Sequence, residues 1–487
     1  QNPFGIGIHW CTSLEVALRL ISWSVVHSLF VLKDGESGLF ASIKNAERLG
    51  DSIYQQAYFV RHFLSRYSSA NNHLIGELAG LWVACQVFDL GIDGLAWSEF
   101  SHEELEHESR QQVHPDGVNK EQAFYYHLWV LEYFLFVWMA GARCGQTFSE
   151  DFTARILSMV HFLEDVSPDG GEPPQIGDAD DGFVARFETV WPNKPYRELL
   201  DVAGSVFAGT GSADSQKAFW YRAMSVAVRA DYPDRGWRRT YPVTYPQGGY
   251  VVLGGGKCHL VFDAGPLGYL GIAAHGHADA LSFCLAVDGE WWLVDPGTYA
   301  YHSDPAWRSY FRGTAAHNTI RVNQEDQSRI GGSFMWLKKA NAWIDGLEKK
   351  EGIQIVKAHH DGYAHLGLVH RRELRLSVSG GQLDVVDTLQ GNLDQKEFAE
   401  IHYHFAPEVD IKPGPAEHCW TATWAGRRDR LFIYTDPRWK YEVLKGETDP
   451  IAGWYSPALE EKVPSSTLHG TARFSVSLTN KTKIVVE

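Results

Sequence analysis

Apolar residues recur at three- and four-residue spacing through most of the first half of the chain. That period predicts amphipathic or buried helices over Leu14 to Leu32, Ile43 to Tyr67, Leu74 to Leu90, Glu121 to Ala142 and Phe152 to Leu163. Polar or Gly/Pro punctuation separates them at Lys33-Asp34-Gly35, Ser68-Ser69-Ala70-Asn71 and Ser167-Pro168-Asp169-Gly170-Gly171, and such short connections predict antiparallel hairpins. Repeated helical pairs build a bundle, a solenoid or an (α/α) toroid, and the period alone does not choose among them. After Tyr232-Pro233-Asp234-Arg235-Gly236 the pattern shortens to strands: Gly249 to Leu253, His259 to Phe262, Leu281 to Val287, Glu290 to Val294, Thr319 to Val322, Arg372 to Val378 and Leu383 to Thr388. Asp288-Gly289 and Ser379-Gly380-Gly381 read as hairpin turns between them. Two domains follow, a helical one over 1–230 and an antiparallel β-sheet one over 231–487. The chain's 487 residues agree with that division, since a single core stops growing near about 250–300 residues.

Composition changes this picture in three places. The formal net charge of −16 argues against nucleic acid, which demands clustered Lys and Arg; an acidic protein acting on a polyanion needs a local basic or metal-bearing cleft. The 18 Trp, 21 Tyr and 25 Phe offer faces for stacking on sugar rings as well as for core packing. The six cysteines are scattered, with no CxxC pair, and read as buried thiols. No apolar run reaches the roughly 20 residues of a membrane span, no signal peptide is visible, and the start at Gln1 suggests a processed or trimmed chain. Gly254-Gly255-Gly256 lacks the spacing of a nucleotide-binding loop.

Chemistry concentrates in four strings. His275-Gly276-His277-Ala278-Asp279, followed by Asp295 and His317, can supply imidazole, carboxylate and imidazole to a zinc ion, or three structural histidines. The glycine between His275 and His277 favours a bend that sends the two rings to different tasks. Asn71-Asn72-His73 opens an apolar helix, where Asn71 or Asn72 serves as N-cap or as a polar site group. Glu121-Gln122-Ala123-Phe124-Tyr125-Tyr126-His127 begins another, with its tyrosines core by default. Tyr299-Ala300-Tyr301 and Trp307 to Thr314 set aromatics and arginines beside the zinc candidates, suited to recognising a carboxylate or to forming surface salt bridges. His402 and His404 alternate on a strand, as groups orienting the metal ligands or as structural histidines.

Taken together, His275-Gly276-His277-Ala278-Asp279, the stretch Val294 to Tyr301, Trp307 to Thr319 and Asn71 to Glu77 resemble the heparinase II/III-like polysaccharide lyases in motif and in order, from about residue 5 to 390. The resemblance implies an α+β multidomain fold, an N-terminal (α/α) toroid followed by antiparallel β-sandwich layers, with the active site in the cleft between them. The early start of the first helix leaves fewer helices than a full toroid uses, so an incomplete or truncated toroid is expected. The resemblance further implies β-elimination in an acidic, uronate-containing polysaccharide. Asn72 and His73 fall at the substrate carboxylate, Tyr126 at the scissile linkage and His275 near the sugar ring, with His275 or Tyr126 as base and Tyr126 as acid. Gln122, Tyr301 and Arg312 are the expected substrate-binding residues. His277, Asp295 and His317 take the positions of one mainly structural zinc. Basic residues suited to sulfate are sparse, which favours a weakly sulfated or unsulfated polymer over heparin. A homodimer is compatible with the family, as is a periplasmic or secreted location, although the compartment is unknown from the sequence. Two other functions compete: a glycoside hydrolase using carboxylates among Asp178, Asp180 and Asp181, and a glycan-binding module without turnover.

Overall fold

The computed structural model describes residues 3–34, 46–187, 194–208, 215–224, 239–379, 381–391 and 397–487. The boundary expected near residue 230 lies outside them, as does Gly380 of the second hairpin turn. The chain divides into two compact units. One holds Gln1–Asn119, His127–His161 and Gly182–Gly236; the other holds Lys120–Tyr126, Phe162–Asp181 and Trp237–Glu487. Two short segments of the first half are therefore built into the sheet-bearing unit, and they carry Tyr126 and Asp178.

In the first unit the helix Ser13–Asp34 packs on Asn72–Val87 and on Ala46–His62, burying Val16, Ala17, Leu20, Ile53, Ala57, Leu81 and Ala84 against one another. The stretch Ser13–Val31, with mean hydropathy 1.5, is long and apolar enough to cross a membrane. At 19 residues it falls at the edge of the roughly 20 of a membrane span, and Val16, Ala17, Leu20 and Ile21 are wholly buried, as in a core helix. A further long helix, Gly91–Gln112, escapes the apolar period because its buried face is largely Ser98, Ser101, Glu108, Ser109 and Gln112. Small and hydrogen-bonded polar residues can cover a packed face without leaving a hydrophobic signature.

The second unit is antiparallel throughout. A five-stranded sheet runs through Val243–Tyr245, Tyr250–Gly255, Cys258–Asp263, Phe283–Val287 and Glu290–Leu293. Asp288 and Gly289 turn its last hairpin with φ of 48° and 81°, the positive pair that a two-residue turn requires. A four-stranded sheet orders Lys440–Lys445, Ser466–Phe474, Glu397–His404 and Ile320–Val322, and an eight-stranded sheet includes Leu368–Ser377 and Gln382–Gly391. The last two strands alternate buried and less buried positions, and residues from all three sheets share one apolar core. All six cysteines are free; Cys258, Cys284 and Cys419 are buried, but Cys11 and Cys144 are exposed, contrary to the expectation of uniformly buried thiols.

Candidate active site

Asp178 is the hub of a polar cluster lying wholly within the second unit. Its buried carboxylate accepts both Arg308 Nη groups, with Nη2 at 2.6 Å from Oδ2. It also accepts His275 Nδ1–H at 3.1 Å and His277 Nε2–H at 2.8 Å. Burial alone would raise this acid, but the Arg308 charge and the hydrogen bonds from His275, His277 and Arg308 hold it well below the usual carboxylate range. An ionised carboxylate has no proton to give, so both imidazoles donate to it. In the neutral tautomer that this donation selects, the lone pair falls on the opposite nitrogen, Nε2 of His275 and Nδ1 of His277.

Local sequence explains how this loop arrives there. Gly177 has φ of 73°, and a Cβ on it would lie 2.6 Å from the Gln122 carbonyl oxygen, so the chain before Asp178 lies flat against residues 122–123. The Phe124 N–H donates to the Ile176 carbonyl at 2.9 Å, and the Asp178 N–H to the His275 carbonyl at 2.9 Å. Gly276 admits no side chain, since a Cβ there would fall 1.5 Å from the Leu267 oxygen. His275 and His277 share one anchor, reaching Asp178 through different nitrogens. Arg308 rides on the helix Pro305–Arg312, which Asp304 caps by accepting from the N–H groups of Ala306 and Trp307. The carboxylate that this arginine recognises is the protein's own.

Tyr126 sits in the first turn of the helix Phe124–Cys144, its ring stacked on His275 with centroids 3.8 Å apart. Its hydroxyl lies 3.0 Å from that of Tyr301 and 3.4 Å from Asp180 Oδ2. Tyr301 donates to the Ala179 carbonyl at 2.8 Å, which leaves its oxygen to receive from Tyr126. Burial first, then Tyr301, Asp180 and Asp178, push the Tyr126 phenol well above its ordinary value, so it is a neutral proton donor. Glu121 Oε2 stands 3.7 Å from His275 Nε2.

His277, Asp295 and His317 present ligand atoms within 4.8 Å of one another, all three side chains buried. Asp295 Oδ2 lies 2.9 Å from His317 Nδ1, and its Oδ1 accepts the Gly297 N–H at 3.1 Å. His277 Nδ1 and His317 Nε2 are buried without a hydrogen-bond partner. Orphaned imidazole nitrogens beside a carboxylate fit the donor set that zinc takes, and the Asp178 bond to His277 is the kind of support such ligands receive.

The other expected residues fall less openly. Gln122 is buried and its amide donates to the Gly248 carbonyl at 3.2 Å. Arg312 has no exposed surface; it donates to the carbonyls of Gly332 at 2.8 Å and Ser333 at 2.7 Å and lies over the Trp336 ring. Burial lowers its guanidinium to about 10. In the first unit, Asn71 is the N-cap of Asn72–Val87, accepting the His73 N–H at 3.1 Å, so capping does not fall to Asn72, whose side chain is fully buried. Asp178 was legible only as a hydrolase candidate, because nothing in Ile176-Gly177-Asp178 announces a buried anchor for two distant histidines.

The second unit thus brings together a carboxylate-anchored histidine, a neutral tyrosine and a cluster of zinc-type ligands. The family description "Heparinase II/III-like, C-terminal" matches residues 238–486 and "Heparinase II/III N-terminus" matches residues 9–191. The chain belongs to the heparinase II/III-like family. It is similar to the heparin-sulfate lyase of Pedobacter heparinus, 24% identical over 340 residues that cover 67% of this chain and 46% of the relative. A heparin-sulfate lyase of Bacteroides stercoris is 23% identical over 361 residues, covering 72% and 48%. The chain thus spans about half the length of the curated relatives it matches. A solved structure of heparinase III superposes with TM-score 0.72 at 17% identity, covering 98% of this chain and 69% of its own. The heparan sulfate lyase structure from Pedobacter heparinus does so with TM-score 0.69 at 17% identity, covering 100% and 70%. These likenesses establish the fold, helices followed by antiparallel β layers.

Proposed function

We propose that this chain is a polysaccharide lyase that cleaves a uronate-containing glycosaminoglycan of low sulfate content by β-elimination. The stacked pair of Tyr126 and His275 over ionised Asp178 is the observation that carries this reading. His275 Nε2 takes the proton from C5 of the uronate. The electron pair forms the C4–C5 double bond, the C4–O bond breaks, and the departing oxygen receives the Tyr126 proton. Tyr126 acts as the acid rather than the base because its phenol is held neutral, and no water is consumed in bond breaking. The relatives' activities, heparin-sulfate and heparan sulfate lyase, support the reaction and the class of polymer. The net charge of −16 supports a lightly sulfated one. The hydrolase alternative loses its first carboxylate, since Asp178 is committed to Arg308 and both histidines. Incubation with heparosan, heparan sulfate, hyaluronan, chondroitin and alginate tests the reading. Ultraviolet absorbance of an unsaturated uronate should rise with a glycosaminoglycan of low sulfation, and no rise with any member would refute it.

The motif resemblance assigns neutralisation of the substrate carboxylate to Asn72 and His73. Such neutralisation counts most as charge develops at C5, so Asn72→Ala should lower kcat by about 10²–10³ with a smaller change in KM. Equal losses in 1/KM and none in kcat would remove Asn72 from the transition state.

His277, Asp295 and His317 would hold one zinc, mainly structural. When bound, it would supply positive charge that offsets the buried Asp295 carboxylate and fixes both imidazoles. Elemental analysis of chelator-free protein should show zinc that is lost in Asp295→Ala, together with a lower melting temperature. Unchanged metal content in that variant would contradict the assignment.

A further inference from the structure

The strand Glu397–His404 lies between Ile320–Val322 and Ser466–Phe474, and its register sets His402 directly opposite His469. Glu400, two residues before His402, shares its face of the sheet. Ligand atoms of Glu400, His402 and His469 all lie within 4.8 Å of one another, and the two rings stack with centroids 4.9 Å apart. These side chains are 8%, 5% and 9% exposed. His402 Nδ1, His469 Nε2 and Glu400 Oε2 are nevertheless all without a hydrogen-bond partner. A buried polar atom without a partner loses its hydration and gains nothing in return. Three of them gathered in one place are what a bound cation relieves.

We propose that Glu400, His402 and His469 form a second metal site, distinct from His277, Asp295 and His317, that takes a divalent transition ion of the zinc class. Two imidazoles and a carboxylate suit zinc and leave a position for water, whereas calcium and magnesium call for oxygen ligands. Glu442, opposite His469 on the neighbouring strand, lies 3.3 Å from His469 Nδ1 and accepts its proton, which directs the Nε2 lone pair inward. The Glu442 side chain itself is 65% exposed.

The neighbouring groups do not satisfy the cluster without an ion. Arg321 Nη1 stays 3.9 Å from Glu400 Oε2, and His469 Nε2 stays 3.5 Å from Glu400 Oε1, both longer than the roughly 2.7–2.9 Å of a charge-assisted hydrogen bond. His404, next on the same face, marks the contrast. Its Nδ1 meets the Thr467 hydroxyl at 3.0 Å and its Nε2 the Ala315 carbonyl at 3.1 Å, so it is a structural histidine with nothing left to offer a metal. The ion would tie Glu397–His404 to Ser466–Phe474 across the sheet.

The test is zinc titration of the metal-stripped full chain by calorimetry, paired with anomalous diffraction from zinc-soaked crystals. Anomalous density among Glu400, His402 and His469 is expected. His469→Gln should weaken that binding at least about tenfold and leave the signal at His277, Asp295 and His317 unchanged. Should His469→Gln fail to fold by circular dichroism, Glu442→Gln, outside the ligand set, should still weaken the same binding about tenfold. Absence of density at this cluster in excess zinc overturns the proposal. The two sites give separate peaks, so an empty first site has no bearing on the second.

Discussion

Tyr126→Phe should keep the fold and substrate affinity yet lower turnover by about 10²–10⁴, because it deletes only the hydroxyl that protonates the leaving oxygen. The ring's stacking on His275 survives the change, since phenylalanine presents the same face at the same 3.8 Å centroid separation. What disappears is the proton directed at Tyr301 and Asp180 when no substrate is present. Steady-state kinetics on the best polymer of the panel, with a melting curve as control, decide the matter. Turnover within a few-fold of the parent would take the acid role from Tyr126 and pass it to Tyr301, whose hydroxyl is 3.0 Å away.

Asp178→Asn should be the most damaging single substitution, striking stability and catalysis together. The amide cannot accept from Arg308, His275 and His277 at once, and Arg308, 2% exposed, would be left as an uncompensated buried charge. Removing one partner of such a pair costs about 3–5 kcal/mol. His275 would lose the bond that places its proton on Nδ1, and His277 the bond that aims Nδ1 towards the metal triad. Turnover and zinc affinity should each fall by about 10–100-fold in whatever fraction remains folded. A double substitution with Arg308→Met should recover part of the stability but not the activity, because it removes the stranded charge without restoring either histidine. Recovery of both would reduce Asp178 to a counter-ion.

How far the sequence reached depends on which physical signal each residue leaves. The apolar period exposed the helices around Leu20, Leu81 and Val130, because burial of one face imposes spacing, and short apolar runs bounded by turn residues exposed strands such as Phe283–Val287, which is buried throughout. Gly91–Gln112 stayed hidden, since its packed face is serine, glutamate and glutamine. The motif order brought out His275, His277, Asp295, His317 and Tyr126, which the fold gathers within one unit. Asp178 was seen but given the wrong chemistry: 97 positions separate it from His275, and no local pattern reveals that a loop carboxylate will end up ion-paired. Arg312 was legible only from the motif, and no local pattern reveals that its Nη1 donates to the carbonyls of Gly332 and Ser333.

The central claim is elimination rather than hydrolysis, and cleavage of the best polymer in water enriched in oxygen-18, sampled early, addresses it most directly. Mass spectrometry should find new non-reducing ends lighter by one water than a hydrolytic fragment and no heavy oxygen at the new reducing ends. Saturated fragments carrying the heavy oxygen would show that water enters the bond-breaking step and would contradict the assignment of His275 and Tyr126 to β-elimination.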